Sequence, residues 1–285
     1  MIYFCADDYG LNDISSMHIQ QRIDEGYLNK VSVFPNFDKI SLEEIQKEKE
    51  VMISLHLNLV EGRCMSDPSE IDLIADNNGN FKHTFGGLFK LSLSAPKKFE
   101  TQIYKEIKAQ VLQFKNLLSD ACDFCVDSHQ HTHMITAIFK FLIQVLTEEN
   151  INVKYMRIPA EPILPFIKTP SLYLTYRPIN IIKQWLLKFL WAVDKRYVGN
   201  FKISTALFLG ILFSGEMDEK RISKIIPKYE KIAKKRGMDI EVLFHPGYVD
   251  KETVLKNIVF EKFYLSENRK KEFDDIKKLS ERSVL

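Results

Sequence analysis

Three histidines occupy alternate positions directly after an aspartate in the stretch DSHQHTH, residues 127–133. The chain has only seven histidines. Five of them fall at or just beyond the ends of short apolar runs: His56, His129, His131, His133 and His245. One histidine at such a place is an ordinary core or surface residue, but five are hard to explain independently. Because imidazole is a common metal ligand, the pattern favours a metal site.

Two adjacent carboxylates, Asp7 and Asp8, follow the first apolar run. Asp8 together with His56 and His129 would form a facial set of two histidines and one carboxylate, which leaves coordination positions open for water and substrate. Neighbouring side chains point in different directions, so Asp8 could hold a metal while Asp7 takes a proton from water. The alternative is an Asx turn with a helix cap in DDYG, which fits that motif equally well when it is taken alone.

The elements that carry these residues alternate between short apolar runs and helical stretches. Such alternation predicts a parallel sheet covered by helices, either open or closed as a barrel. Since these folds build their sites at the carboxyl ends of the strands, the polar residues there, Asn58 and Arg157 among them, are expected to converge. The predicted strands are 1–6, 30–36, 51–59, 123–129, 152–159 and 239–246, and the predicted helices are 12–25, 41–50, 97–119, 135–149, 180–196, 218–236 and 266–283, with a short helix or strand at 203–213.

The composition is that of an ordinary globular protein with one domain. Of 285 residues, 45% are hydrophobic and 27% are charged, and the formal net charge is +2, so nothing global indicates nucleic acid as a partner. The four cysteines are too sparse for a disulfide scaffold, which predicts a reduced, cytoplasmic setting. The first apolar run has no basic leader, and no run approaches the ~20 apolar residues of a membrane span, so neither a signal peptide nor a transmembrane segment is expected.

Four motifs resemble, in order and spacing, those of the YdjC-like carbohydrate deacetylases, a family that includes chitooligosaccharide and hopanoid-biosynthesis deacetylases. The resemblance implies a distorted TIM-like (β/α) barrel with fewer than eight regular units, formed by residues 1–285 as a single α/β domain. It also implies metal-dependent hydrolysis of the N-acetyl group on an amino sugar or oligosaccharide. The motifs are ADDYG near the amino terminus, HLNLVEG at 56–62, DSHQHTH at 127–133 and FHPG at 244–247, with weaker matches in DNNGNF (76–81), MRIPAEP (156–162) and FSGEMD (213–218).

The resemblance also implies roles for individual residues, position by position. Asp8, His56 and His129 match the ligands of one divalent metal ion, for which Mg and Zn are the first candidates. The remaining matches are Asp7 as general base, His245 of the His-Pro motif as proton donor, and Arg157 as the residue that orients the base. The family is also compatible with a homodimer.

The family pattern leaves His131 and His133 open. If the chain stays extended after His129, both share its face and would contact substrate or support the ligands, as would Asn58. The alternative is that hydrogen bonds of His131 and His133 merely hold the loop in place.

Two longer segments also admit two interpretations each. Residues 60–96 interrupt the alternation and are expected to form a lid, since Phe81, His83, Phe85 and Phe89 could stack on sugar rings, or else a surface insertion with its own small core. The amphipathic stretch at 180–196 is expected to pack on the barrel. Its alternative is to dock on a membrane surface or a lipid-linked sugar.

Two other functions remain in competition with deacetylation. The H-x-H-x-H run also suits multinuclear amidohydrolases or phosphoesterases, which carry more ligands than the three assembled above. A non-catalytic metal- or sugar-binding protein is the second, although pure binding requires neither Asp7 as a base nor His245 as an acid.

Overall fold

Seven parallel strands build one sheet in a computed structural model that describes residues 1–37, 41–47, 50–199, 201, 203–247 and 262–283. The strands are β1 (Ile2–Tyr9), β2 (Lys30–Val33), β3 (Met52–Leu57), β4 (Phe124–Ser128), β5 (Val153–Met156), β6 (Leu207–Leu209) and β7 (Ile240–Phe244). Their order in the sheet is β5-β4-β3-β2-β1-β7-β6.

The two edges of this sheet approach each other. Ser204, just before β6, forms a parallel bridge with Tyr155 in β5. The backbone N–H of Met156 donates to the carbonyl of Ser204 at 3.0 Å, and the N–H of Ser204 donates to the carbonyl of Lys154 at 3.2 Å. The sheet is therefore curled into a distorted barrel with seven strands, which confirms the predicted α/β fold of fewer than eight regular units.

The helices among the described residues lie between the strands and at the carboxyl end of the chain. Their ends follow the usual capping chemistry. The side chain of Asn12 accepts a hydrogen bond from the N–H of Ser15 at 2.8 Å, and Gly237 ends a later helix with φ of 62°. The helices are α1 (Asp13–Asp24), α2 (Glu43–Lys47), α3 (Phe85–Ser94), α4 (Pro96–Leu117), α5 (Thr136–Glu148), α6 (Leu164–Ile167), α7 (Pro178–Asp194), α8 (Glu219–Arg236) and α9 (Glu267–Ser283).

The main apolar core lies between the sheet and the covering helices. On α4 the buried residues Ile103, Ile107, Val111 and Phe114 recur every three or four positions, which is the spacing of one helix face. Such a face covers the outer side of the strands and leaves the inner side to the polar residues described below.

Two of the site-bearing strands end differently from the prediction. β1 runs to Tyr9, so Asp7 and Asp8 lie within it, and the pairing with β2 shifts register between Ala6 and Tyr9. β4 ends at Ser128, and a short 3₁₀ segment follows, His129–Met134, in which Gln130 and His131 have φ of 53° and 59°. The chain is therefore not extended through residue 133, the condition under which His131 and His133 would share a face with His129, because two left-handed residues turn it at once.

Residues 60–96 form part of the same domain. Two antiparallel bridges, between Arg63 and Asn80 and between Ala75 and Phe81, hold the segment together. Its apolar side chains, including Ile71, Ile74 and Leu88, are buried in the main core. Phe81 is buried there as well, while Phe85 and Phe89 pack against it, so the segment has no separate core; a lid function for it stays a prediction.

None of the described helices is long and apolar enough to cross a membrane.

Candidate metal centre and active site

Asp8, His56 and His129 come from three different elements and meet at the carboxyl end of the barrel. Asp8 lies in β1, His56 in β3, and His129 directly after β4. Asp8 Oδ1 is 3.5 Å from His56 Nε2 and 3.2 Å from His129 Nδ1. All three side chains are buried, and one ligand atom of each lies within 4.8 Å of the others. The structure thus brings together the three residues expected to bind metal.

Some buried polar atoms of Asp8 and His56 at this meeting point have no hydrogen bond within the described part of the chain. Among the described residues, neither oxygen of the Asp8 carboxylate has a hydrogen-bond partner, and neither does Nε2 of His56. Arg269 Nη2 comes within ion-pair distance of Asp8 Oδ2, at 3.5 Å. Buried polar atoms without a hydrogen bond still cost free energy, so a native structure needs a reason for them. A cation with one carboxylate and two imidazole ligands would satisfy them, and the donor set suits a divalent metal.

The far side of each imidazole is held by a carboxylate. His56 Nδ1 lies 2.6 Å from Asp127 Oδ1, and His129 Nε2 lies 3.1 Å from Glu61 Oε2. Glu61 also accepts a hydrogen bond from the hydroxyl of Tyr264 at 3.0 Å. Carboxylates in this position orient metal-binding imidazoles and make them more basic. They leave Nε2 of His56 and Nδ1 of His129 directed at Asp8.

The electrostatics of the group favour a cation. Burial lowers the pKa of His129, but the nearby carboxylates of Asp8 and Glu61 outweigh it and raise that pKa to about 9. Burial likewise lowers the pKa of His56, and Asp7, Asp127 and Asp8 raise it by more. Positive charge is therefore stabilised at this position.

A second set of possible ligands, Asp7, His56 and Asp127, shares His56 with the first. Here Asp127 is already occupied, because its Oδ2 accepts hydrogen bonds from Lys30 Nζ at 3.0 Å and from Ser32 Oγ at 2.7 Å. Its Oδ1 faces His56 Nδ1, on the side of the ring away from Asp8. The unpaired atoms favour the Asp8 set.

Asp7 is held by Arg157 in a bidentate pair. Arg157 Nη1 is 2.8 Å from Asp7 Oδ2, and Nη2 is 2.8 Å from Oδ1. The same carboxylate comes within 3.8 Å of His56 Nε2. Burial raises the pKa of Asp7, but the charges of Arg157 and His56 outweigh it and lower that pKa overall. Asp7 is thus an ionised, rigidly oriented carboxylate beside the ligand group.

Beneath these residues lies an inner charge layer, defined by Lys30, Asp127, Tyr155, Arg157 and Glu241. Lys30 Nζ contacts Asp127 as above and Glu241 Oε1 at 2.8 Å. Arg157 Nε donates to the same Glu241 oxygen at 2.8 Å, and the hydroxyl of Tyr155 donates to the other. All five side chains are buried, and none has an unpaired polar atom among the described residues. Within this layer, Lys30 and Glu241 hold Asp127 and Arg157 in position.

A cavity of about 240 Å³ opens beside the ligand group. His245 lines it just after β7, and its backbone N–H is held by Glu272 Oε2 at 2.8 Å. Nδ1 of His245 has no hydrogen-bond partner among the described residues. The ionisable side chains that line the cavity are Asp7, His129, His131, Lys183, His245 and Tyr264.

The other two histidines of DSHQHTH have different positions. His131 lines the cavity, with its ring 5.5 Å from that of Phe208. His133 is fully buried, contacts the hydroxyl of Ser128, and has Nε2 2.9 Å from the carbonyl of Arg157. His133 therefore holds the backbone of Arg157 and is not among the cavity-lining residues.

Asn58 organises the loop that carries Glu61. Its Nδ2 donates to the carbonyl of Glu61 at 2.6 Å, and its Oδ1 accepts from the N–H groups of Val60 and Glu61 at 3.1 and 3.0 Å. Asn58 thus reaches His129 only through Glu61, which supports a ligand.

Sequence reasoning missed Glu61 and Lys183. Glu61 stands in the motif HLNLVEG, so an acidic residue shortly after a ligand-bearing strand was the available signal. Lys183 looked like a surface lysine of an amphipathic helix, yet it lines the cavity. Burial lowers the pKa of Lys183 to about 8, although Glu161 raises it.

The chain is similar in sequence to several known proteins. The family model described as YdjC-like protein matches residues 1–280. The chain belongs to the YdjC-like family. A zebrafish (Danio rerio) protein named carbohydrate deacetylase is 27% identical over 162 residues, which cover 56% of this chain and only 50% of that protein. A second carbohydrate deacetylase, from Clostridium beijerinckii, is 22% identical over 190 residues, 64% of this chain and 71% of that protein.

The fold of this YdjC-like chain also occurs among solved structures. A crystal structure from Enterococcus faecalis V583, named as a candidate cellobiose-phosphate cleavage protein, superimposes with a TM-score of 0.58. The match covers 96% of this chain and 94% of the other at 15% sequence identity, so it supports the fold alone.

Proposed function

We propose that this YdjC-like protein is a metal-dependent hydrolase that removes the N-acetyl group from an acetylated amino sugar or glycoconjugate and releases acetate. The observation that carries the proposal is the buried Asp8, His56 and His129 group with its unpaired ligand atoms, next to a carboxylate clamped by Arg157. The two relatives named carbohydrate deacetylase support the choice of substrate class.

One divalent ion, with Mg or Zn as the first candidates, would be held by Asp8, His56 and His129. The chemistry that such an ion supplies is polarisation of a carbonyl and acidification of water. Asp127 and Glu61 keep the two imidazoles turned towards the ion, through the 2.6 and 3.1 Å contacts on the opposite ring nitrogens.

Asp7 is the general base in this proposal. Both of its oxygens are held by Arg157, so the carboxylate keeps one orientation while it accepts a proton from the attacking water. Because its pKa is lowered, Asp7 is ionised before the reaction begins. The water oxygen then bonds to the acetyl carbon, and the bond from that carbon to the sugar nitrogen breaks.

The leaving nitrogen departs as an amine and needs a proton. His245 lines the same cavity and is the proposed donor. Burial lowers the pKa of His245 to about 3, against the opposing charges of Asp8 and Asp7, so the ring is neutral at rest. His245 must therefore first gain a proton, the one that water loses to Asp7, and can then donate a proton to the amine. The number of protons is thus balanced over the catalytic cycle.

A mononuclear site is favoured over the multinuclear alternative by the ligand count. Within the described residues, the only other candidate ligand set shares His56, and its Asp127 is taken by Lys30 and Ser32. A binding protein without catalysis is disfavoured by Asp7, which is buried, charged and directed at the ligand group by Arg157.

The test is acetate release from N-acetylated mono- and oligosaccharides. Enzyme treated with EDTA is assayed before and after addition of Mg, Zn, Mn or Co, with bound metal per chain measured in parallel. We expect metal-dependent acetate from at least one sugar and one metal per chain. Two metals per chain would favour the multinuclear hydrolases, and one metal without acetate from any acetylated substrate would favour the binding protein.

A further inference from the structure

Exposed apolar side chains are concentrated in one stretch of the chain. Of the twelve large apolar side chains that are exposed among the described residues, eight lie between residues 164 and 189. The other four are scattered over the rest of the protein. The eight are Leu164, Ile167, Tyr173, Leu174, Ile179, Ile182, Trp185 and Phe189. The last four lie at helical spacing on one side of α7, and we call them the apolar face. Concentrations of this kind mark interaction surfaces, whereas single exposed apolar residues do not.

On α7 apolar side chains lie on the outer side of the helix as well as on its buried side. Ile182, Trp185 and Phe189 follow at helical spacing on one face and are 63%, 60% and 65% exposed. The opposite face buries Leu187 and Leu190 together with Asn180 and Gln184. The side-chain amides of Asn180 and Gln184 donate to the carbonyls of Leu212 at 3.2 Å and Glu161 at 2.7 Å. These buried contacts fix the rotation of the helix, so Ile182, Trp185 and Phe189 stay on its outer side.

The same stretch is strongly basic although the chain as a whole is nearly neutral. Between residues 163 and 198 there is one acidic residue, Asp194, and its side chain is buried. Within the described part of the chain, no carboxylate lies at ion-pair distance from Lys168, Lys188 or Lys195. The basic residues of the stretch are Lys168, Arg177, Lys183, Lys188, Lys195 and Arg196.

We propose that the apolar face docks on the surface of an anionic lipid bilayer. A stretch that combines exposed apolar side chains, among them Trp and Tyr, with lysine and arginine has the composition of segments that lie in the membrane interface. Charge complementarity distinguishes this occupant from a second copy of the chain. A two-fold contact would bring the same basic residues together and repel, whereas anionic headgroups attract them.

Docking in this way would place the candidate active site beside the bilayer. Lys183 of α7 lines the cavity together with His129 and His245, so the docking helix is also a wall of the cavity. This fits an acetylated amino sugar that is carried on a lipid, with its sugar at the membrane surface. That choice of substrate rests on the proposed function, whereas docking itself does not.

The docking test is co-sedimentation of the full chain with vesicles. One vesicle type contains phosphatidylcholine alone, and the other contains equal parts of phosphatidylcholine and phosphatidylglycerol. We expect binding to the anionic vesicles and a blue shift of Trp185 fluorescence when they are added. The variant Trp185→Ser/Phe189→Ser should weaken the partition coefficient by about tenfold or more, because two apolar side chains no longer enter the interface.

The matched control for this variant is Met17→Ser, which removes a 61% exposed apolar side chain from α1. It should bind vesicles like the wild type. The charge variant Lys188→Glu/Lys195→Glu should weaken anionic binding by about fivefold or more for each charge. Its control, Lys234→Glu/Lys235→Glu, changes exposed lysines at the end of α8 and should have a much smaller effect.

Two results would overturn docking: no binding of the wild type to anionic vesicles, or equal binding by Trp185→Ser/Phe189→Ser. A dimer that forms without lipid and is lost in that variant would also overturn it, in favour of a second copy. The variant Asp7→Asn should still bind vesicles, so a failed deacetylase assay would leave the docking result intact.

The substrate class is tested separately with a lipid that carries N-acetylglucosamine. Acetate release from this lipid in anionic vesicles should exceed release from the free sugar and fall by about tenfold in Trp185→Ser/Phe189→Ser, in step with the partition coefficient. Equal rates for the lipid-linked and free sugars would contradict a lipid-linked substrate even if docking is found.

Discussion

Two groups of charged side chains are buried in the same barrel, and they differ in how completely they are paired. In the inner charge layer every polar side-chain atom has a partner among the described residues. In the group of Asp8, His56 and His129, which is also buried, three atoms have no hydrogen-bond partner within the part of the chain that the structure describes. Complete pairing is what a structural element needs, and incomplete pairing is tolerated where a ligand completes it. The difference predicts that the inner charge layer supports the fold and that the group of Asp8, His56 and His129 binds a ligand.

The largest loss of activity should come from a substitution in the group of Asp8, His56 and His129. Asp8 has φ of 72°, a conformation that asparagine also tolerates, so Asp8→Asn keeps the backbone while it weakens the ligand. We expect metal to be lost and acetate release to fall by at least about 10⁴-fold, the upper range for loss of a general base. Metal content, acetate release and circular dichroism are measured together. Retained metal with full activity would show that Asp8 is not a ligand.

Asp7→Asn should separate metal binding from proton transfer. Asparagine cannot accept the proton from water, so acetate release should fall by about 10²- to 10⁴-fold. Bound metal per chain should stay at the wild-type level, in contrast to Asp8→Asn. If sugar turnover is unchanged in Asp7→Asn, the role of Asp7 as the base is wrong.

A substitution in the inner charge layer should lower the free energy of unfolding. Lys30→Met leaves Asp127 and Glu241 buried with one cation fewer, and loss of one partner from a buried ion pair costs about 3–5 kcal/mol in the free energy of unfolding. Urea unfolding measures this difference. The control is Lys47→Met, which removes the exposed partner of Glu44 and should leave stability unchanged. Equal effects of the two substitutions would mean that the inner layer has no special structural role.

Glu61→Gln tests the link between a supporting carboxylate and the ligand group. Loss of the charge behind His129 should weaken metal affinity by about 10- to 100-fold without abolishing binding. Competition with a chelator gives the affinity, and Glu70→Gln, an exposed glutamate in the same segment, is the control. An unchanged affinity would show that Glu61 does not tune His129.

Local sequence signals were sufficient to predict most of the helices and strands. The predicted helix at 12–25 is α1 at Asp13–Asp24 with Asn12 as its cap, and the predicted strand at 239–246 is β7 at Ile240–Phe244. Apolar periodicity and capping residues are local properties, so they can be read from neighbouring positions. The turn after β4 could not be predicted in the same way, since nothing in QHTH requires Gln130 and His131 to be left-handed.

The features of the candidate site can be divided in the same way, into those that the sequence predicts and those that depend on long-range contacts. Asp8, His56 and His129 were expected to converge because parallel strands bring their carboxyl ends to one edge of the sheet. The pairings of Asp127 with His56, of Glu61 with His129 and of Arg157 with Asp7 join residues from 68 to 150 positions apart. The direction of a side chain inside a barrel depends on where a strand ends and which neighbours it meets, which no short stretch of sequence specifies.

Sequence alone was enough for the alternation of strands and helices, for the family, and for the residues expected to bind metal, because these depend on local patterning and on motif order. Only the tertiary structure decided which polar atoms are paired, that His133 holds a backbone carbonyl while His131 lines the cavity, and that Ile182, Trp185 and Phe189 of α7 face outwards. Each of these depends on long-range contacts, and a buried atom is satisfied or left unpaired by residues that are distant in the chain.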